Sequence, residues 1–242
     1  MPSWFGKLRY AWRRHGPTRL LWLIAYNVVY HIPRLFRRIN RQPLVDQFDQ
    51  QHGTDTGGTR RIASLDVLDL PAAVYAAQYE PSGVELVNDE LDKLNIDAAQ
   101  FTFVDFGSGK GRVLLIAAER PFRKVIGIEF SQELHEIAVR NIGRLPRHLT
   151  RGTRVRSINS DAAAVDPPKG NLVCYFNNPF GQPIFSEVAG RLIAHHRDHG
   201  SHILVIYVDP RHRDVFERCG IFRILDETRG AVIFTTMPGP AA

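Results

Sequence analysis

The sequence predicts an α/β domain built on a mostly parallel sheet. Three observations predict it. From residue 101 onward, short runs rich in β-branched and aromatic residues alternate with helical patterns. The first run, Phe101 to Asp105, passes into glycines at every second position, Gly107, Gly109 and Gly111, and then into an apolar helical run. Finally, polar residues follow successive strand runs: Asp105, Glu129, Asp161, and Asn177 with Asn178. In an open α/β sheet ligands lie beyond the carboxyl ends of the strands, so these residues are the first candidates for a site.

Taken in order, the chain opens with a basic arm. Nine of its 31 Lys and Arg residues lie in residues 1–45, which hold no acid. The remaining 22 face 25 acids, a net of −3, so the basic character belongs to the arm. That argues against nucleic-acid binding spread over the domain, and nucleic acid is not an expected partner. The apolar stretch Leu20–Tyr30 falls short of the ~20 residues a bilayer span needs, and no small-residue cleavage site follows it. Basic clusters with Trp4, Trp12 and Trp22 suit a helix at an anionic membrane surface. Docking on the domain and self-association remain open alternatives, and Pro33 ends or kinks the helix.

Residues 46–77 read as a connector. Gly53–Thr59 is polar and turn-rich, either an ordered loop over the domain or a linker, and Pro71–Gln78 suits a short helix. Gln78-Tyr79-Glu80-Pro81-Ser82 opens the main domain, 78–242. Pro81 fits the first turn of a helix reaching Leu94, with Val84, Val87, Leu91 and Leu94 on one apolar face.

Strand 101–105 leads to helix 110–120, strand 124–128 to helix 132–145 capped by Ser131, and a weaker strand occupies 154–158. Strand 171–176 precedes helix 183–196. Strand 201–208, almost wholly apolar, is central, and a helix runs from Pro210 to about Arg218. Runs 221–225 and 230–235 pair as a closing hairpin. With 44% apolar residues and 23% charged, the chain can bury one sizeable core. Cys174 and Cys219 have no metal-ligand or disulfide-framework spacing, which fits a reducing cytoplasm. The histidines at 195, 196, 199 and 202 suit a helix C-terminus, and no metal is expected.

Glycines let a ligand lie against the backbone, and the following helix start offers unpaired N–H groups. Taken alone, this loop and an acid after the second strand would also suit a dinucleotide. However, dinucleotide loops space their glycines Gly-x-Gly-x-x-Gly, whereas the third glycine here comes one residue earlier.

Tyr79-Glu80-Pro81-Ser82, then Val104-Asp105-Phe106-Gly107-Ser108-Gly109-Lys110-Gly111-Arg112, then Gly127-Ile128-Glu129-Phe130, resembles the class I S-adenosylmethionine-dependent methyltransferases. Within them it resembles the telomeric-silencing-disruptor type of histone lysine methyltransferases and the related mitochondrial lysine methyltransferases. The resemblance covers roughly residues 78–236. It implies a three-layer Rossmann-like sandwich with a seven-stranded, mostly parallel sheet and an antiparallel last strand, the basic arm being additional. It implies S-adenosyl-L-methionine as cofactor. Asp105, Phe106, the loop Gly107, Ser108, Gly109 and Gly111, and Arg112 would surround its methionine part. Glu129 and Phe130 would meet the ribose, Asp161 and Ala162 the adenine, and Asn177 would border the site. Asn178, Pro179 and Phe180 would form the substrate-side loop, with Tyr79 and Glu80 lining or serving the methyl channel. Families that methylate amino-adenine usually carry two prolines after the Asn or Asp; here Asn177-Asn178-Pro179-Phe180 has one, so adenine in DNA is a poor acceptor. The expected reaction is direct displacement onto an amine or other nucleophile, a protein lysine being the leading acceptor. A small-molecule O- or N-methyltransferase and a non-catalytic, membrane-associated adaptor are the rival readings.

Overall fold

The computed structural model describes residues 46–58, 80–149 and 154–236, all within one compact unit that begins at Asp46. The expectations for the arm (residues 1–45), the short helix at 71–78 and Tyr79 lie outside the described residues.

Seven strands form one sheet: β1 Phe101–Phe106, β2 Lys124–Glu129, β3 Val155–Asn159, β4 Asn171–Asn177, β5 Ile203–Val208, β6 Phe222–Glu227 and β7 Ala231–Thr236. Their order is β3-β2-β1-β4-β5-β7-β6. The pairs among β1 to β5 are parallel, while β7 runs antiparallel to both β5 and β6. This is the seven-stranded Rossmann-like sheet. Strands β1, β4 and β5 are apolar almost throughout because helices cover both faces. Strand β7 sits inside the sheet because every one of its residues is buried, whereas β6 carries exposed residues in its middle and takes the edge.

The described helices are α1 Gln47–His52, α2 Val84–Asp92, α3 Arg112–Ala118, α4 Gln132–Ile142, α5 Gln182–His199 and α6 Asp214–Glu217. Alternation along the strands divides the core. Phe103, Tyr175, Leu204, Ile206 and Ile233 pack with α2 and α3. Val104, Phe176, Val205, Tyr207 and Phe234 pack with α5 and α6 on the other face. Each fully buried large side chain contributes roughly 1.5–3 kcal/mol.

Helices differ from their expected bounds in two informative ways. Helix α2 begins after Gly83, which is extended at φ −64°, ψ 134°. Pro81 and Ser82 lie ahead of it because the Ser82 hydroxyl is bonded to β4. Helix α6 is a single turn rather than a run from Pro210. Asp209 stands at φ +49°, and the His212 N–H donates to the Tyr207 hydroxyl at 3.3 Å, so the chain turns tightly before any helix can start.

The chain order reverses at β1. From there it proceeds outward to β2 and β3, then returns to β4 on the other side. The crevice beyond the carboxyl ends of β1 and β4 is therefore the place for a ligand.

Candidate active site

Asp105, near the carboxyl end of β1, is 3% exposed. Its neighbours across the sheet are Gly127 and Tyr175. Its carboxyl accepts no hydrogen bond from the described residues. Burial, and then the nearby Glu129, push its pKa well above the ordinary carboxylate range. A buried acid without a donor is costly, and a cationic or N–H-bearing ligand group is what would offset it.

The loop after β1 turns on Gly107, Gly109 and Gly111, with φ of +83°, +53° and +86°. The Gly107 and Ser108 N–H groups both donate to the Ile128 carbonyl, at 2.9 and 3.0 Å. Gly109 N–H donates to Glu129 Oε2 at 2.7 Å. A Cβ on Gly107 would lie 2.4 Å from the Pro179 Cβ, so the loop after β4 rests directly on the glycine loop. Ser108 Oγ is buried and has no hydrogen-bond partner among the described residues. Gly127 makes room for it, since a Cβ there would meet Ser108 Oγ at 2.5 Å and Leu114 at 2.6 Å.

Glu129, at the end of β2, is buried, and burial raises its pKa against the lowering effect of its backbone donors. Those donors include Ser131 N–H on Oε1 at 2.8 Å and Gly109 N–H on Oε2. Each carboxylate oxygen has two acceptor directions, so both retain capacity for ribose hydroxyls while the backbone fixes their orientation. Asp161 caps the one-turn helix Ala162–Ala164 through Ala163 N–H at 2.9 Å. Ala162 beside it is buried, and Phe130 is partly exposed.

The Ser82 hydroxyl accepts from the Tyr175 hydroxyl and from Asn177 Nδ2, each at 3.0 Å. It pins the Glu80-Pro81-Ser82 segment to β4, on the strand face that carries Asp105. Ser82→Ala leaves one buried donor, Tyr175, and one partly buried donor, Asn177, without this acceptor, which costs about 1–3 kcal/mol. We expect a fall in melting temperature together with weaker cofactor binding by calorimetry. An unchanged cofactor affinity would show that the segment does not border the site.

The other candidate residues pack as follows. Phe106 stacks on Phe176 at 4.9 Å and belongs to the core beneath the loop. Phe180 is likewise packed among Phe176 and Phe185. The Arg112 guanidinium donates to Thr56 Oγ1 at 2.8 Å and pairs with Asp46, so its side chain engages residues 46–58. Glu80 is exposed. Asn178 is buried at φ +41°, and its Nδ2 donates to Asp209 Oδ2 at 3.2 Å. Non-glycine residues at positive φ concentrate where function holds them, and two of them meet here at the ends of neighbouring strands. The sequence reading passed over Asp209, although the strand-end rule that found the other acids applies to it equally. Gly127 enters the sequence reading only as part of the Gly-Ile-Glu-Phe run; its close packing has no sequence signal beyond a glycine inside a strand.

The histidines are structural: His195 Nε2 meets the Gly170 carbonyl, His196 Nδ1 the Ser201 carbonyl and His202 Nε2 the Thr235 hydroxyl. No group of three or more His, Cys, Asp or Glu among the described residues is placed to hold a metal ion. Arg213 pairs with Glu217 and Glu227 at the surface. No described helix is long and apolar enough to cross a membrane.

Residues 73–159 match the family described as histone methylation protein DOT1. No curated protein matches the chain. Among solved structures it is similar to an RNA methyltransferase from Salinibacter ruber in complex with S-adenosyl-L-homocysteine. That similarity is at 18% identity and a TM-score of 0.45, over 67% of this chain and 95% of that one. It is also similar to a ribosomal protein L11 methylase from Lactobacillus delbrueckii subsp. bulgaricus (15%, 0.43, 64% and 77%). A third is an S-adenosylmethionine-dependent methyltransferase from Aquifex aeolicus (15%, 0.47, 62% and 89%). The family match and the strand order, with Asp105, the glycine loop and Glu129 converging at the switch point, define the class. The protein is a class I S-adenosylmethionine-dependent methyltransferase.

Proposed function

We propose that the enzyme methylates an amine nitrogen, with a protein lysine side chain as its first candidate acceptor. The observation that carries this reading is the Asn178–Asp209 bond. A carboxylate only accepts, so the Asn178 amide must turn its NH₂ toward Asp209 and leave Oδ1 as the group free to face a substrate. An amide oxygen beside Pro179, on the loop that rests on Gly107, suits an N–H donor. The family description names histone methylation, which favours a protein acceptor, and the motif resemblance to lysine methyltransferases puts lysine first among its amines.

The residues fit the cofactor. Asp105 carries a buried carboxyl that accepts nothing from the described residues and that a cationic amino group would satisfy, and the glycine loop adds Ser108, whose hydroxyl has no partner among them. Glu129 keeps acceptor capacity for paired ribose hydroxyls. Asp161 and Ala162 would border the adenine. When bound, the cofactor supplies a methyl group already activated by the sulfonium. The protein's part is then orientation and exclusion of water. Asn178 holds the nucleophile by its remaining N–H so that the lone pair faces the methyl carbon. Asp209 keeps Asn178 in that orientation, and the proton released by the amine passes to solvent.

The test is transfer of a radiolabelled methyl group into a lysate separated into protein, nucleic-acid and small-molecule fractions, with Asn178→Ala as control. Label in protein, lost by about tenfold or more in Asn178→Ala while cofactor binding persists, is the expected result. Label confined to small molecules overturns the lysine assignment. Residues 1–41 are proposed to provide peripheral membrane contact, on the strength of their charge and tryptophans. Deleting them is expected to reduce partition onto anionic liposomes, and unchanged partition removes that proposal.

A further inference from the structure

Residues 46–58 form an ordered strap whose contacts converge on the glycine loop. Asp49 organises it. The Asp49 carboxylate accepts from the Thr54 hydroxyl at 2.7 Å, the Thr56 hydroxyl at 2.7 Å, the Thr56 N–H at 2.8 Å and the Gly57 N–H at 2.6 Å. These bonds outweigh its partial burial and hold its pKa below the ordinary value. Gly57 packs so closely that a Cβ there would lie 2.8 Å from Asp46 Oδ2.

So folded, the strap presents acceptors to two buried cations from the glycine loop and its helix. Lys110, 3% exposed, donates to Asp55 Oδ1 and to the Gly57 carbonyl, both at 2.7 Å. Arg112, 7% exposed, donates to Thr56 and pairs with Asp46. A buried cation that loses its partner is strongly destabilising where it stands. Asn141, 1% exposed, closes the arrangement. Its Nδ2 donates to the Lys110 carbonyl at 2.9 Å and to the Asp55 carbonyl at 3.0 Å, and its Oδ1 accepts from Asp55 N–H at 3.0 Å.

The loop's own backbone bonds are few: Gly107 and Ser108 N–H donate to the Ile128 carbonyl and Gly111 N–H to the Ser108 carbonyl. Three of its five residues from Gly107 to Gly111 are glycines at positive φ, which gain the most freedom when released. Glu129 holds it from one side through Gly109 N–H. Lys110 and Asn141 hold it from the other, through the strap.

We propose that the strap is an integral part of the cofactor site and that Asp49 is a positioning residue for the glycine loop. Asp49 acts through the strap, which fixes the Lys110 backbone and with it the loop that receives the ligand. The proposal rests on the methyltransferase reading for the identity of the ligand, but the effect on the loop does not.

The experiment uses the full chain with Asp49→Ala and the milder Thr56→Val, which removes one hydroxyl and keeps the proposal testable if Asp49→Ala does not fold. Calorimetry with S-adenosylhomocysteine is paired with hydrogen exchange of the ligand-free protein. Expected are a dissociation constant raised about tenfold and faster exchange across residues 107–112, with β5 (residues 203–208) still protected. That combination separates loss of loop order from general destabilisation. Wild-type affinity and wild-type exchange in the loop would overturn the proposal. Should the wild-type protein fail to bind S-adenosylhomocysteine, the cofactor reading falls, and loop exchange in the variants alone decides whether the strap orders the loop.

Discussion

Asp105→Asn is expected to weaken S-adenosylhomocysteine binding by roughly tenfold to a hundredfold, while raising the melting temperature of the ligand-free protein. The two effects share one cause. The wild-type carboxyl is wholly buried, accepts nothing from the described residues, and sits near a second acid. Replacing it with a neutral group of the same shape removes a desolvation cost of about 1–3 kcal/mol, or several degrees for a domain of this size. It also removes the charge that the ligand's amino group would meet, worth roughly tenfold to a hundredfold in affinity. Calorimetry and thermal melts on the same samples check both. A variant that binds as wild type would show that Asp105 does not face the ligand, and one that melts lower would show that the acid is already compensated.

The same residue sets a pH dependence. An acid whose folded pKa lies above its unfolded value favours the fold when protonated. That contribution is complete below the unfolded value, near 3.8, and is lost as pH rises through the folded one. Asp105, and to a smaller degree Glu129, therefore make the ligand-free protein less stable as the medium moves from acid toward neutral. The stability gap between Asp105→Asn and wild type is expected to widen from about pH 4 upward. A gap independent of pH would contradict the burial of an ionisable group there.

Gly107→Ala is the second large effect expected. The added methyl would stand 2.4 Å from the Pro179 Cβ, and the residue already occupies φ +83°. Either problem alone costs about 1–3 kcal/mol. Here neither backbone can yield easily, because Gly107 N–H is bonded to Ile128 and Asn178 is held by Asp209. The loop after β4 must move away from the glycine loop, which disturbs the cofactor side and the acceptor side together. Loss of both cofactor binding and methyl transfer, with a lowered melting temperature, is the expected outcome. A variant that melts and binds as wild type would mean that the two loops are not in contact in solution.

Sequence reading recovered the strands to within a residue or two because period, apolar content and turn residues are local properties. It singles out Asp105 and Glu129 for the same reason: each stands at or near the carboxyl end of its strand, and the topology rule says that such ends converge. Ser82 came to light only through the resemblance carried by its segment, and its hold on Tyr175 and Asn177 spans more than ninety positions. Arg112 reads as a loop residue facing the ligand, yet its partners lie 56 and 66 positions earlier. Nothing in a polar, turn-rich stretch such as 46–58 announces that it will close over two buried cations.

By itself, the sequence determined the alternation of strands and helices, the glycine turn and the acids at the strand ends. These follow from backbone conformational preference and hydrophobic periodicity, which act over a few residues. Only the tertiary structure decided that β7 inserts between β5 and β6, that Pro179 lies on Gly107, that Asp209 orients Asn178, and that Asp49 braces the loop from outside. Each of these depends on burial and hydrogen-bond satisfaction between segments far apart in the chain, where the cost of leaving a buried polar group or charge unpaired selects the arrangement.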